Sequence, residues 1–165
     1  MKPVVVSDAG PLIALAKLDL LRLLPELFST VYVPEVVVKE ATRQCERKDA
    51  RDIAVFARQF LNIRGDIDNA FCRSLRVLLD EGEVQALASA QELKCGVFMD
   101  EKRGRQVAIH HQIPVIGVIG LLIQAKQKQL ITDVKTPLQA LIRAEYRLSG
   151  DLLQRALNLA GESGP

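Results

Sequence analysis

The chain has 165 residues, a length typical of one domain. Its 48% hydrophobic and 25% charged residues exclude a disordered or low-complexity chain. The 22 Lys and Arg residues against 20 Asp and Glu residues leave a formal charge of +2, so a nucleic-acid partner would need a local basic patch.

Four short apolar runs predict strands, at residues 4–6, 31–33, 97–99 and 114–116. None of them alternates cleanly with polar residues, which is typical of strands that are covered on both faces. Between them, helical spacing of apolar residues predicts helices over residues 12–27 (broken near Pro25), 34–41, 49–61, 81–93, 102–111, 118–130, 137–148 and 151–159.

Strands that alternate with helices predict an α/β fold with a parallel sheet flanked by helices. Pro34 suits the first position of its helix, and residues 62–74 are the least periodic and are expected to form a loop. We expect a single domain over residues 1–165, with a core at about 3–130 and C-terminal helices at about 133–161.

The cysteines and the N-terminal segment bear on cellular location. Cys45, Cys72 and Cys95 are odd in number and lack Cys-x-x-Cys spacing, so neither a zinc ribbon nor a disulfide framework is expected. The apolar run in MKPVVVSDAG is too short for a signal peptide, and no apolar run reaches about 18 residues. We expect a soluble, cytoplasmic protein.

Two aspartates directly follow predicted strands. Asp8 follows the first strand and Asp100 the third, and ligands of open α/β sheets bind beyond the carboxyl ends of strands. The alternative for both is helix capping. If Pro11 is the first helical residue, Gly10 is the cap and Asp8 lies too early for that role.

Two glutamates are expected on helix faces that point toward the sheet. Glu40 lies one turn beyond Val36 and Val37, and Glu83 lies one turn before Leu87. An inward carboxylate is costly unless it is paired or bound to a metal. Glu83 has the alternative of an acid favoured by the helix dipole in the first turn; Asp80 and Glu81 are expected to be cap and surface acids.

Four carboxylates in one cleft would repel each other unless a divalent cation neutralised them. Oxygen ligands suit Mg²⁺ or Mn²⁺, and such a site can activate water for phosphodiester hydrolysis. The spacing of the acids alone does not force them to converge.

The segments VVVSDAGPLIAL, VYVPEVVVKEA, LDEGEVQALASA and GVFMDEKRGRQVA, in this order, resemble the PIN-domain ribonucleases, and most of all the VapC-like toxins. The resemblance implies a Rossmann-like three-layer α/β/α sandwich with a parallel sheet of about four to five strands. It also implies RNA cleavage dependent on Mg²⁺ or Mn²⁺. The same resemblance implies the toxin of a type II toxin–antitoxin pair, which a protein antitoxin would hold inactive and which would pair as a homodimer.

The resemblance assigns catalysis and metal binding to four acids: Asp8, Glu40, Glu83 and Asp100. Four neighbouring residues are candidates for substrate binding: Ser7, Lys102, Arg103 and Arg105. Two departures from the family pattern are Ala9, where Thr or Ser is common after the first acid, and Glu83, where Asp is common. They bear on how many metals are bound and how tightly.

Three other functions stay open at this point. A PIN fold that binds nucleic acid or protein without cutting is compatible with the two departures, and a nuclease of the same fold directed at DNA is compatible with the composition. A flavodoxin-like phosphoacceptor domain would want two adjacent acids after the first strand, whereas Ser7-Asp8-Ala9 offers one.

Overall fold

The computed structural model describes residues 1–164, and its centre is a five-stranded sheet. The strands are β1 (Val4–Ser7), β2 (Thr30–Pro34), β3 (Leu61–Arg64), β4 (Gly96–Phe98) and β5 (Val115–Ile116). Every pairing is parallel, and the order across the sheet is β3-β2-β1-β4-β5. The predicted α/β class and parallel sheet of about four to five strands are confirmed.

Ten helices connect and cover the strands over residues 1–164. They are α1 (Ala9–Lys17), α2 (Leu23–Leu27), α3 (Glu35–Ala41), α4 (Lys48–Phe60), α5 (Ala70–Leu75), α6 (Glu81–Leu93), α7 (Lys102–His110), α8 (Val118–Gln127), α9 (Lys135–Arg143) and α10 (Gly150–Leu159). Within that range, none of the helices combines the length and the apolar character that crossing a bilayer requires.

The sheet is buried on both faces because successive side chains of a strand point in opposite directions. In β1, Val5 joins the cluster formed with α1, α2, α8 and α9, whereas Val6 joins the cluster formed with α5, α6 and α7. In β4, Phe98 and Val97 divide in the same way. The continuous apolar runs of the sequence therefore reflect a three-layer sandwich.

The expected loop over residues 62–74 contains regular structure, so that prediction is wrong. Residues 62–64 belong to β3, which pairs only with β2 at the edge of the sheet and exposes Asn62 and Ile63. Helix α5 follows, and the side chain of Asn69 caps it by accepting a hydrogen bond from the Cys72 amide at 2.9 Å. A half-exposed edge strand lacks the apolar run that marks the inner strands.

The expected helix over residues 12–27 is two helices. Asp19 adopts a left-handed conformation (φ 54°), and the Leu20 amide donates to the carbonyl of Leu15 at 2.9 Å, the hydrogen bond of a Schellman turn. Pro25 therefore lies within α2 and does not break a long helix. Pro34 ends β2 and precedes α3, so it is not the first helical residue.

The two C-terminal helices pack on the same core as α1 and α8. Leu138, Leu141 and Ala156 are buried there. Glu162, beyond α10, accepts hydrogen bonds from the backbone amides of Val134 (2.6 Å) and Lys135 (2.9 Å) at the start of α9. Its carboxylate also pairs with Lys126 of α8 at 2.7 Å. This clasp ties the end of the chain to two helices.

Replacing Glu162 with Ala removes an ion pair and the acceptor of two backbone amides. Hydrogen bonds to charged groups contribute roughly 1.5–3 kcal/mol each, but water replaces part of this when the two amides are uncovered, so we expect the free energy of unfolding to fall by about 2–3 kcal/mol. Urea denaturation followed by circular dichroism measures it. Glu46→Ala, at an exposed residue without an ion pair in the described part of the chain, serves as the control. Equal stability of the two variants would contradict the clasp.

Candidate functional site

A cleft of about 1170 Å³ opens at the carboxyl ends of β1 and β4, where the chain order of the sheet reverses direction. That reversal is where open α/β sheets place their ligands. Seven acidic residues line the cleft: Asp8, Glu40, Asp80, Glu83, Asp100, Glu101 and Glu145. All four acids assigned from the sequence therefore line one cavity, a convergence that their spacing alone did not force.

Asp8 occupies the N-cap position of α1, although its side chain makes no capping hydrogen bond. Gly10 is thus not the cap, because the helix begins at Ala9 and Pro11 is its third residue. The backbone amide of Asp8 donates to the carbonyl of Phe98 at 2.9 Å, which fixes the aspartate between β1 and β4. Only 6% of the residue is exposed, and Asp8 lines the cleft.

Asp100 does not cap the helix that follows it, since Glu101 holds the N-cap position of α7. The amide of Val118, the first residue of α8, donates to Oδ1 of Asp100 at 2.9 Å. Oδ2 of the same carboxyl is buried without a hydrogen-bond partner in residues 1–164. Asp100 is therefore held by one oxygen and offers the other.

Glu83 and Asp80 form a capping box at the start of α6. The Glu83 amide donates to Oδ1 of Asp80 at 2.9 Å, and the Asp80 amide donates to Oε2 of Glu83 at 3.0 Å. The expected cap role of Asp80 is confirmed, yet Asp80 also lines the cleft. Sequence reasoning missed this second role, although its position one turn before Glu83 on the same helix face is a usable signal.

Glu40 lies at the open side of the cleft and is exposed, so it does not point into the core as expected. It converges with two other acids on Gly82, which has no side chain to fill the space. A Cβ there would lie 2.7 Å from Oε2 of Glu40, 3.5 Å from Oδ1 of Asp80 and 3.6 Å from Oδ1 of Asp8. The glycine thus leaves a small space bounded by three carboxyl oxygens.

The electrostatics of the cleft favour protonated acids. Burial raises the pKa of Asp8 to about 7; the charges of Asp80, Glu40 and Glu83 raise it further, and the neighbouring Ala9 amide lowers it. Burial is also the largest cause of the raised pKa values of Glu40, Glu83 and Asp100. For Glu40, which is exposed as a residue, the desolvation concerns the carboxyl end that faces the cleft.

The chemistry of this donor set fits a hard divalent cation. Carboxylate oxygens converge on the space over Gly82. Oδ2 of Asp100, which has no hydrogen-bond partner in the described residues, is a further oxygen that can act as a metal ligand. No group of three or more Asp, Glu, His or Cys side chains among residues 1–164 is already arranged around one ion position. A cation held by one or two carboxylates and by water, as Mg²⁺ commonly is, matches this arrangement.

Basic side chains surround the acids. Four of them line the cleft: Lys17, Lys102, Arg103 and Arg147. Lys102 and Arg103 were expected beside the site. Lys17 and Arg147 were missed: Lys17 lies at the far end of α1 from Asp8, and Arg147 follows α9, far along the chain from the four acids.

Two residues expected to bind substrate do not reach the cleft. Ser7 is completely buried, and its hydroxyl donates to the carbonyl of Asp8 at 3.0 Å. Arg105 directs its guanidinium to the carbonyl of Met99 at 3.0 Å, on the side of Asp100 that faces Gly117. Both side chains support the strand ends that carry the aspartates, and neither is free to contact a ligand.

Tyr146 is a second residue that sequence reasoning missed. It follows α9 and lines the cleft together with Asp100, and burial and the charge of Asp100 raise the pKa of Tyr146. Nothing in the sequence signals that the two lie close, since 46 residues separate them, as their numbers show. Their proximity depends on how the C-terminal helices pack.

Comparison with known proteins bears on the family of the chain. A family model described as a PIN domain matches residues 4–162, nearly the whole length of the chain. No curated protein matches the sequence at a significant level.

The raised pKa of Asp8 predicts how stability depends on pH. Between about pH 4 and pH 7 the folded protein keeps a proton on Asp8 that the unfolded chain has lost, so the free energy of unfolding falls as pH rises. A shift from 3.8 to about 7 corresponds to on the order of 4 kcal/mol. Urea titrations in chelator between pH 5 and 7.5 measure the slope.

Asp8→Asn is the matched variant for this measurement, because the amide keeps the shape and cannot titrate. We expect its stability to fall much less steeply with pH than that of the wild type. Parallel stability curves for the two proteins would show that Asp8 has an ordinary pKa.

Gly117 is the residue whose lack of a side chain lets Asp100 cap α8. A Cβ there would lie 2.7 Å from Oδ1 of Asp100 and 2.8 Å from Nη1 of Arg105. Gly117→Ala therefore displaces the aspartate from the Val118 amide, and we expect a loss of about 1–3 kcal/mol in the free energy of unfolding. Gly150→Ala, where a Cβ meets nothing within 4 Å, should change stability by less than about 1 kcal/mol. Similar losses in both would contradict this role of Gly117.

Proposed function

The chain belongs to the PIN-domain family, and we propose that it is a metal-dependent endoribonuclease that hydrolyses RNA phosphodiester bonds in the acidic cleft. Members of this family are generally nucleases, which supports a hydrolase. The observation that carries the proposal is the convergence of Asp8, Glu40, Glu83 and Asp100 on one cleft. Burial raises the pKa of each of them, and perturbed pKa values cluster at functional sites.

The four acids have different parts in this proposal. Asp8 and Asp100 would hold the cation from the ends of β1 and β4, where hydrogen bonds with backbone groups fix them. Glu40 approaches from the open side, and Glu83 keeps Oε1 for the cleft while Oε2 caps α6. Mg²⁺ or Mn²⁺ bound there would lower the pKa of a water molecule and offset negative charge on the phosphate.

The basic residues around the acids supply the affinity for the phosphate backbone. Lys102 and Arg103 follow Asp100 directly in the chain, and Lys17 and Arg147 line the opposite wall contributed by α1 and the C-terminal segment. In this proposal they hold phosphates on either side of the scissile bond, while the acids act on the bond itself. The formal charge of +2 of the whole chain is compatible with this, because the proposal needs only the four cations that line the cleft.

The choice of RNA and the wider role rest on the resemblance of the four motifs to VapC-like toxins. On that basis we propose that the protein is the toxin of a type II pair, that it forms a homodimer and that a protein antitoxin blocks the cleft. The acidic centre supports the last point, since an inserted Arg or Lys of a partner would neutralise the carboxylates in the absence of a cation.

The test is cleavage of a labelled single-stranded RNA by the purified protein with Mg²⁺, with Mn²⁺ and with chelator. We expect cleavage only with metal and expect Asp8→Asn to lower the rate about 100-fold or more, because it removes a charge from the cation site. Asp66→Asn, at an exposed acid outside the cleft, is the matched control and should cleave like the wild type.

A matched single-stranded DNA and a titration of the protein with Mg²⁺ are run alongside, and other outcomes redirect the proposal. Cleavage of single-stranded DNA and not of RNA would make the protein a nuclease for DNA. Metal binding without cleavage of either would favour a binding module that keeps the fold. Equal cleavage by wild type and Asp8→Asn would indicate a contaminating nuclease and remove Asp8 from the site.

A further inference from the structure

A second cavity, of about 530 Å³, adjoins the acidic cleft. The two cavities share three lining residues, Lys17 of α1 and Ala144 and Glu145 after α9. An extended ligand that leaves the cleft between α1 and the C-terminal helices therefore enters this second cavity directly. We call it the basic groove, after the four cations that line it: Lys17, Arg47, Lys48 and Arg143.

The cations of the groove are only partly compensated. Lys48 pairs with Asp19 (3.0 Å) and with Asp52 (2.7 Å), and Arg47 pairs with Asp49 (3.1 Å). Lys17 and Arg143 form no ion pair within residues 1–164 and are exposed. The two cations without partners lie at the ends of α1 and α9, in the wall that leads from the acidic cleft.

This arrangement contrasts with that of the cleft. The cleft gathers carboxylates at its centre, whereas the groove contains no part of that cluster and holds more cations than acids. An anionic ligand is therefore repelled by the metal-free centre and attracted by the groove. A polyanion whose charges recur along its length can place one charge at the cation site and the next ones in the groove.

We propose that the basic groove binds the phosphate backbone of a single-stranded nucleic acid on one side of the scissile bond. Lys17, which lines both cavities, contacts the strand where it leaves the cleft, and Arg143 and Arg47 contact phosphates beyond that point. The groove contains no aromatic lining residue, so contacts to the backbone and not base stacking carry the binding. The direction of the strand rests on the proposed function; the binding itself does not require cleavage.

Glu145 lies in the wall that the two cavities share, and removing its charge is expected to strengthen binding of the strand. It lies in the shared wall in a left-handed conformation (φ 63°), exposed and without an ion pair in the described part of the chain. Its negative charge opposes the passage of a phosphate backbone from one cavity to the other. Glu145→Gln removes that charge while keeping the size of the side chain, and it should strengthen binding of a strand that spans both cavities.

The experiment measures binding by fluorescence anisotropy in chelator, so that the full-length protein does not cleave the probe. The probes are labelled single-stranded RNAs of four and of twelve nucleotides, titrated at several salt concentrations. We expect the long strand to bind more tightly than the short one. Arg143→Ala and Arg47→Ala should each weaken binding of the long strand about fivefold to tenfold and lower its salt slope by about 0.7.

The same two substitutions should also weaken binding of the short strand, because the metal-free centre repels phosphates and leaves the groove as the attractive site. Arg58→Ala, at an exposed arginine of α4 that lines neither cavity, is the control and should match the wild type with both probes. Glu145→Gln should tighten binding of the long strand. The proposal is overturned if both arginine variants bind the long strand as tightly as the wild type. It is also overturned if Arg58→Ala loses as much affinity as they do.

A single-stranded DNA of twelve nucleotides separates backbone contacts from contacts to the ribose. If the arginine variants lose as much affinity for DNA as for RNA, the groove binds phosphates. If they lose affinity for RNA alone, the proposal is overturned in favour of recognition of the 2′-hydroxyl groups. Failure of the groove is distinct from failure of the proposed function. If only the groove fails, cleavage still needs metal and Asp8 while Arg143→Ala binds the long strand normally. If only the proposed function fails, no cleavage occurs while Arg143→Ala still weakens binding of the long strand.

Discussion

Repulsion among carboxyl groups that share one buried edge of the sheet is the constraint on which the rest of the structure depends. Burial and the neighbouring acids raise the pKa of Asp8 to about 7. The fold accommodates the repulsion because backbone amides donate to one oxygen of two of the acids. The Val118 amide donates to Asp100, and the Asp80 amide donates to Glu83. Each of these acids caps a helix and still presents its second oxygen to the cleft, so structural and chemical roles coexist in one side chain.

Much of the architecture could be predicted because strands buried on both faces leave an unmistakable apolar run. Asp8 and Asp100 then followed from the rule that ligands bind beyond strand ends. The edge strand β3 was missed because Asn62 and Ile63 face solvent and break that pattern. Tyr146 was missed for a different reason: its proximity to Asp100 depends on how the C-terminal helices pack, which no local pattern encodes.

Two glycines leave the space that the carboxyl groups of the site occupy. Gly82 leaves the space on which oxygens of Glu40, Asp80 and Asp8 converge, and Gly117 leaves room for the Asp100 carboxyl. A sequence reading that looks for chemistry finds acids and passes over the glycines between them. Their importance is visible only when a Cβ is placed on the backbone and meets a carboxyl oxygen.

The near-neutral charge of the whole chain conceals a division of charge within it. A centre of carboxylates lies inside a rim of cations that includes Lys17 and Arg147, and the groove beyond the rim holds Arg143. In the proposed function, the centre repels a phosphate backbone without a cation and attracts it with one. Binding at the rim would then depend on salt alone, whereas binding at the centre would depend on both salt and metal, because only the centre needs its charge inverted. On this proposal, the rim and the groove hold the substrate before the centre can engage it.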